Sequence, residues 1–543
     1  MRAWNHWTLR RHPIRLDREA ILLRAPGYPG ATLVPVDLSA ILMQARMSVA
    51  AEVRTWTNPP ESRQAGVLIF AVLLVSSAWF YQAGGWNQNS RFDLVRAIVE
   101  KGTLQIDAYE TNTGDKAESR GHIYSDKAPG LALAAVPLAF VAAPVARLLT
   151  QDEEGYVRWL SYVLTTGVAG IPVALTGVLL YWVSRRMGAG HSGSMIAALC
   201  YGLATPAWAY AALLFGHALA AFCLVAAFAA ALALGDARRR DPLLSFLLGL
   251  SAGWAVITEY PSAPPALLIA IFALAQIDSG ERGRRLRVLA GMAAGALIPL
   301  LVLLLYNRAA FGSELEFGYT HVQGFGGMKT GLMGVSRPHL WVLYQILFGS
   351  YRGLFYHAPI LLVAAAGFVP LLRGRGIARR AGITAALIVI FYMLFNASYY
   401  YWFGGWSYGP RHMSPAIPFL ALGLAPLWTG GRPLARILIS ATAVISLAVT
   451  LVAVSTTAQP PQMIRRPIAD LCWPAFREGD LSLNHQSFLE IGADFQKLRG
   501  GSLQHDAFNL GQVLGLQGHM SLLPLLLLWA LAAARLSRIR PEP

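Results

Sequence analysis

Runs of about twenty apolar residues recur along this chain, separated by short basic or polar breaks. A helix needs about 20 such residues to cross the hydrocarbon of a bilayer. On that measure the pattern predicts spans near 66–82, 160–184, 192–208, 214–234, 243–258, 263–278, 287–307, 357–373, 381–398, 412–429, 434–455 and 519–536. The apolar run 129–149 is a further candidate, and it decides the topology, because a crossing there inverts every later loop. The fold class expected is an all-α integral membrane protein with about twelve transmembrane helices.

Charge sets the orientation. If 129–149 does not cross, the N-terminal tail and the turns at Arg185–Arg186, Arg238–Arg240, Arg282–Arg287, Arg373–Arg380, Arg432–Arg436 and Arg535–Arg540 share one side. They then hold most of the chain's 45 Lys and Arg. Basic residues at helix ends mark the cytoplasmic side, so both termini are expected in the cytoplasm and 129–149 lies along or dips into the outer leaflet. The protein is thus expected in the plasma membrane as a multi-pass chain. Its organisation divides into a cytoplasmic tail (1–65), a transmembrane domain (66–455), an outer segment (456–518) and a last span with a basic tail (519–543). Residues 1–46 are expected to be disordered or to precede the true start at Met47. The long outer loops 83–159 and 308–356 are the expected working surface, because loops on a rigid scaffold carry function.

Composition agrees. The chain is 55% hydrophobic and only 14% charged, against about 25% charged in soluble domains. The net charge of +16 is accounted for by topology and does not call for nucleic acid. Cys200, Cys223 and Cys472 form no disulfide or zinc spacing.

The first outer loop is the most informative. Residues 89–102 have helical spacing, with Phe92, Val95 and Val99 on one face and Asp93, Arg96 and Glu100 on the other. This predicts an amphipathic juxtamembrane helix stopping at Gly102. Asp107, Asp115 and the run Gly121–Gly130 follow. Arg91-Phe92 opening that helix, Gly102, and Tyr124, Lys127 and Pro129 in a Tyr-x-x-Lys-x-Pro segment together resemble the GT-C membrane glycosyltransferases. The nearest families are the protein O-mannosyltransferases and the aminoarabinose (lipid A) transferases. The resemblance extends loosely to about residue 430, through Ser184-Arg185-Arg186 and the Gly-Pro-Arg-His run at 409–412. One departure matters: the acidic pair usual just before the Arg-aromatic pair is Gln88-Asn89 here.

The resemblance implies a sugar carried on a polyprenyl phosphate, transferred to an acceptor hydroxyl on a protein, lipid or glycan at the non-cytoplasmic face. Such a single displacement needs a carboxylate to take the acceptor's proton and cations to hold the departing phosphate. Asp93, one turn from the empty slot, and Asp126 are the expected bases. Lys127, Arg352 and Arg411 are the expected phosphate ligands, the last two because they sit in Gly-containing turns that admit close approach. Arg91, Tyr124, Glu259, Tyr260 and His412 are expected substrate contacts. His217 reads as a satisfied interior histidine, and Tyr399–Trp402 with Trp406 as an interfacial belt or a sugar platform. No spacing suggests a metal, and no cofactor beyond the lipid-linked co-substrate is expected. Two other readings stand: a transporter or flippase of lipid-linked sugars, favoured by span number, and a non-catalytic relative, suggested by Gln88-Asn89. The spans are nearly free of central charge, unlike transport sites near the midplane.

Overall fold

The computed structural model describes residues 60–235, 240–483 and 507–539. The expectations for residues 1–46, for Met47 and for 484–506 lie outside them. The described chain is predominantly helical: α1 (Pro60–Trp79), α2 (Trp86–Arg96), α3 (Gly130–Leu149), α4 (Glu153–Arg186), α5 (His191–Leu203), α6 (Gly216–Ala233), α7 (Asp241–Thr258), α8 (Tyr260–Leu274), α9 (Arg282–Phe311), α10 (Ile360–Arg373), α11 (Gly376–Ser398), α12 (Pro433–Thr456) and α13 (Gly518–Leu536). Among the described residues, nine are long and apolar enough to cross a membrane: α1, α3, α4, α6, α7, α9, α11, α12 and α13.

Every expected span has a helical counterpart, but four fall short of that length. Proline and glycine account for the difference, because proline breaks the helical hydrogen-bond ladder. Pro206 follows α5, while Pro261, Pro264 and Pro265 crowd the start of α8. Gly367 and Pro370 interrupt α10. The stretch expected at 412–429 is three short turns, Arg411–Ala416, Ile417–Ala421 and Leu424–Thr429, broken by Pro415, Pro418 and Pro426. The bend at Pro261 lines the cavity described below.

The helix after the Tyr-x-x-Lys-x-Pro segment is α3. One stripe of it is small and buried (Ala132, Ala135, Ala139, Ala143, Ala146), while Phe140, Val141, Val145, Leu148 and Leu149 face outward. Its first turn abuts the end of α7 so closely that a Cβ on Gly130 would lie 2.7 Å from the Ile257 carbonyl. Whether α3 crosses or lies flat, this contact fixes the start of the helix beside Glu259.

Helix α2 occupies the expected place and continues as a π turn to Lys101, with Gly102 in the left-handed conformation at its end (φ 68°). Its polar face is not solvated, however. Gln88 to Ala97 are all buried. Arg96 is paired with Glu100 (2.8 Å) and Glu153, and Tyr109 and Tyr156 each donate to Glu100. Burial opposes ionisation of both partners, yet the pairing prevails: the Arg96 pKa is raised and the Glu100 pKa lowered. A buried pair is tolerated when its remaining donors and acceptors are met in this way.

Among the described residues there are four short strands: β1 (Phe80–Tyr81), β2 (Lys116–Ser119), β3 (His122–Ser125) and β4 (Phe508–Asn509). Antiparallel β1 and β4 tie the C-terminal part of the chain to the end of α1. Gln82 strengthens the tie by donating to the Leu483 carbonyl and accepting from the Ala458 amide. The β2–β3 hairpin, in register Lys116↔Ser125 to Ser119↔His122, turns through Arg120 and Gly121, both at positive φ.

Candidate active site

Residues from seven parts of the chain line a cavity of about 510 Å³, within the range typical of small-molecule sites. The hairpin supplies its acidic wall. Because Lys116 pairs with Ser125, the residues flanking that pair, Asp115 and Asp126, emerge side by side at the open end. Lys127 Nζ lies 2.8 Å from Asp115 Oδ2 and 2.9 Å from Asp126 Oδ2. Ser90 and Ser125 share a 2.8 Å hydrogen bond that fastens the hairpin to α2. Burial raises the Asp126 pKa; Lys127 counters this, Asp115 reinforces it, and the net shift is upward. Burial works against the Lys127 charge, but Asp115 and Asp126 outweigh it and the ammonium is favoured. Asp126 Oδ1 is buried with no hydrogen-bond partner.

The second wall is built at the end of α7. Glu259 follows Thr258, and its Oε1 lies 3.0 Å from Arg91 Nη2 and 3.5 Å from His217 Nδ1 at the start of α6. Arg91 also donates to Asn87 Oδ1. Burial raises the Glu259 pKa, against the pull of Arg91, Arg411 and Lys127. The influence of all three cations on one carboxylate shows how compact the charged region is.

Arg411 forms the third feature. Arg352 is fully buried and donates to the Phe403 and Gly405 carbonyls at 2.8 and 2.7 Å, which holds the 403–411 turn in place. Gly404, at φ 72°, leaves room for Arg411: a Cβ there would meet the Arg411 Cδ at 2.9 Å. The guanidinium sits 5.6 Å over the Phe215 ring. Among the described residues it has no carboxylate partner, and its Nε is buried and unbonded. A buried donor without an acceptor is costly, so Arg411 is poised for an anionic ligand.

The roof is apolar. Residues 318–336 add a partial third strand to the hairpin through the Ala117↔Val322 bridge, and return beside Tyr399 through Val335. Phe325, Met328, Leu332 and Met333 face the cavity, opposite Tyr399, Tyr400, Tyr401 and Trp406.

The structure therefore brings Arg91, Asp126, Lys127, Glu259, Tyr260, Arg411 and His412 together at one cavity. It does not place three others there. Asp93 is fully buried away from the cavity and accepts a 3.0 Å hydrogen bond from Asn112; burial raises its pKa well above the ordinary carboxylate value. Tyr124 is buried against Phe311, with ring centroids 5.7 Å apart. Arg352 spends its donors on backbone carbonyls, as above. Gln88 and Asn89, where the resemblance leads one to expect acids, are structural: Gln88 accepts from the Leu214 amide and Asn89 donates to the Asn112 carbonyl, each at 2.6 Å. His217, read from sequence as an interior residue, lines the cavity, as do Trp86, Asn87 and Tyr319. The local cue to the Asp115–Asp126 pairing is Gly121, in the two-residue turn Arg120-Gly121. Among the described residues no group of three or more His, Cys, Asp or Glu is placed to hold a metal ion.

No protein-family model and no curated protein matches the sequence. Solved structures similar to the chain include ArnT from Cupriavidus metallidurans in the apo state, at 17% identity and TM-score 0.41, covering 72% of this chain and 60% of that one. The same ArnT bound to undecaprenyl phosphate matches at 15% identity and TM-score 0.43, covering 72% and 71%. The Archaeoglobus fulgidus oligosaccharyltransferase in the apo form matches at 13% identity and TM-score 0.47, covering 79% and 61%. The chain thus spans less than two thirds of the length of the first of these.

Proposed function

We propose that this protein is a membrane glycosyltransferase that moves one sugar from a polyprenyl-phosphate donor to an acceptor hydroxyl. The observation that carries the reading is the charge layout of the cavity: an arginine without a carboxylate partner, Arg411, in the same enclosure as a buried carboxylate with a free oxygen, Asp126. Glycosyl transfer from a lipid phosphate needs that pairing of groups. The acceptor oxygen attacks the anomeric carbon and its proton passes to Asp126 Oδ1. The bond to the phosphate oxygen breaks, and polyprenyl phosphate leaves with the bonding electrons. Its charge is met by Arg411 and by the N–H of Lys127 not given to Asp115 or Asp126. The raised pKa of Asp126 suits a group that takes a proton in the transition state. Aromatic side chains at Tyr399–Tyr401 and Trp406 offer faces for the sugar, and the apolar roof suits the first isoprene units of the donor.

The donor's tail must reach the site from the bilayer, so the cavity is assigned to the membrane surface. The positive-inside rule applied to the Arg-rich turns supports the non-cytoplasmic side for that surface, with both termini in the cytoplasm and α3 not crossing. The experiment is transfer of radiolabelled sugar from polyprenyl-phosphate donors by purified protein in detergent or liposomes. Asp126→Asn is expected to lose roughly 10²–10⁴ in rate, the usual weight of a positioned base. Transfer by Asp126→Asn at the parent rate overturns the assignment. Donor flipping without any transfer in the parent protein overturns the function.

A further inference from the structure

The Asp115–Lys127–Asp126 cluster carries an inference beyond the transfer reaction. Two carboxylates brought together by a hairpin repel each other unless a cation lies between them. Magnesium or manganese is commonly held in this way, by one or two carboxylates with substrate phosphate completing the shell. Here the position between the two carboxylates is filled by Lys127 Nζ, at 2.8 Å from Asp115 and 2.9 Å from Asp126. The lysine side chain is 11% exposed and the two aspartates 10% and 3%. The ammonium has three N–H groups and gives one to each carboxylate, leaving one for a ligand. Asp126 also keeps a buried oxygen, Oδ1, with no hydrogen-bond partner.

We propose that Lys127 is a built-in cation standing where a divalent metal would otherwise bind, and that removing its charge converts the Asp115–Asp126 pair into a Mg²⁺/Mn²⁺ site. Lys127 is then chiefly a positioning residue, keeping the two carboxylates adjacent, while Arg411 is the principal phosphate ligand. The inference rests on the cluster's geometry, and metal binding is read without any sugar donor. Its failure is therefore distinct from failure of the glycosyltransferase reading.

The test is Mn²⁺ binding to purified full-length protein, followed by electron paramagnetic resonance and by the melting temperature in Mn²⁺ against EDTA. Lys127→Ala is expected to bind Mn²⁺ at least about tenfold tighter than the parent, because the ammonium no longer repels the ion. It is expected to melt higher in Mn²⁺ than in EDTA, while the parent melts alike in both. Adding Asp115→Asn to Lys127→Ala is expected to abolish the gain. Lys127→Met, which keeps the chain length, serves if the alanine variant does not accumulate. Equal Mn²⁺ affinity in the parent and the Lys127 variant overturns the proposal. So does a gain that survives Asp115→Asn, because the ion would then bind elsewhere.

Discussion

Replacing Arg411 by alanine separates two kinds of arginine in this cavity. Arg411 has no carboxylate partner among the described residues and a buried, unbonded Nε. Arg91 sits 3.0 Å from Glu259, with side chains 3% and 14% exposed. Removing Arg411 orphans nothing, so the fold should lose less than about 1 kcal/mol, as for a change that breaks no buried pair. Removing Arg91 leaves Glu259 buried beside a vacated cation, which typically costs about 3–5 kcal/mol. Activity should fall in both, but for different reasons. A charge-assisted hydrogen bond contributes about 1.5–3 kcal/mol, and loss of one preorganised donor from a site of growing negative charge costs roughly 10²–10³ in rate. The two estimates meet near about a hundredfold loss of kcat/KM, at 1.36 kcal/mol per decade. Arg411→Lys should recover only part of this, because an ammonium cannot grip phosphate in a fork. The assay pairs initial rates of label transfer with thermal melting of the same preparations. Parent-like transfer by Arg411→Ala, or a melting temperature as low as that of Arg91→Ala, would refute the reasoning.

Three further expectations concern residues that shape the site from outside it. Asp93→Asn should keep sugar transfer within a few-fold of the parent, because Asp93 does not line the cavity. Its pKa is raised by burial, so folding binds a proton there, and the stabilisation held at low pH is lost as pH rises above the unfolded value of about 4. The melting temperature of Asp93→Asn relative to the parent should therefore climb as pH is raised from about 4 to about 7; a flat difference would count against a buried, protonated Asp93. Arg352→Ala should lower stability by about 1–3 kcal/mol, since two buried carbonyls lose their donor; with Arg411 no longer held, transfer should fall too, and phosphate competition should show weaker donor binding. Gly404→Ala should reduce transfer, because a Cβ at φ 72° meets the Arg411 side chain; full activity there would show that Arg411 can reposition freely.

The span pattern was legible because apolar runs in lipid have few alternatives to helix, and each expected span has helical structure at its place, though at 412–429 only as three short turns. The shortening of α8 and α10 was visible in their prolines, though not its extent. The site was legible in part. Lys127, Asp126, Glu259 and Arg411 converge because each stands at the end of a helix or strand, where polar residues break apolar runs. Asp93 was misleading for a physical reason: helical spacing gave it a polar face, and sequence does not reveal that a polar face is covered. The segments at 105–119 and α4 bury that face by supplying Asn112, Glu153, Tyr109 and Tyr156. Asp115 was underweighted because its importance comes from cross-strand pairing, which depends on register. The roof at 318–336 gave no signal, since among the described residues its strand pairing is limited to isolated bridges at Val322, Leu332 and Val335.

The hairpin also governs how this site can change over generations. Asp115 and Asp126 are distant in sequence but meet because four residues face four across a two-residue turn. Deleting one residue from either strand flips side chains beyond it to the opposite face of the ladder, and one acid would turn away from Lys127. Deleting one residue from each strand leaves the open-end pair intact. The acidic pair therefore obeys a parity rule. Length variants that alter the two arms equally keep the site, and those that shift one arm by a single residue lose it in one step, even though every charged residue remains present.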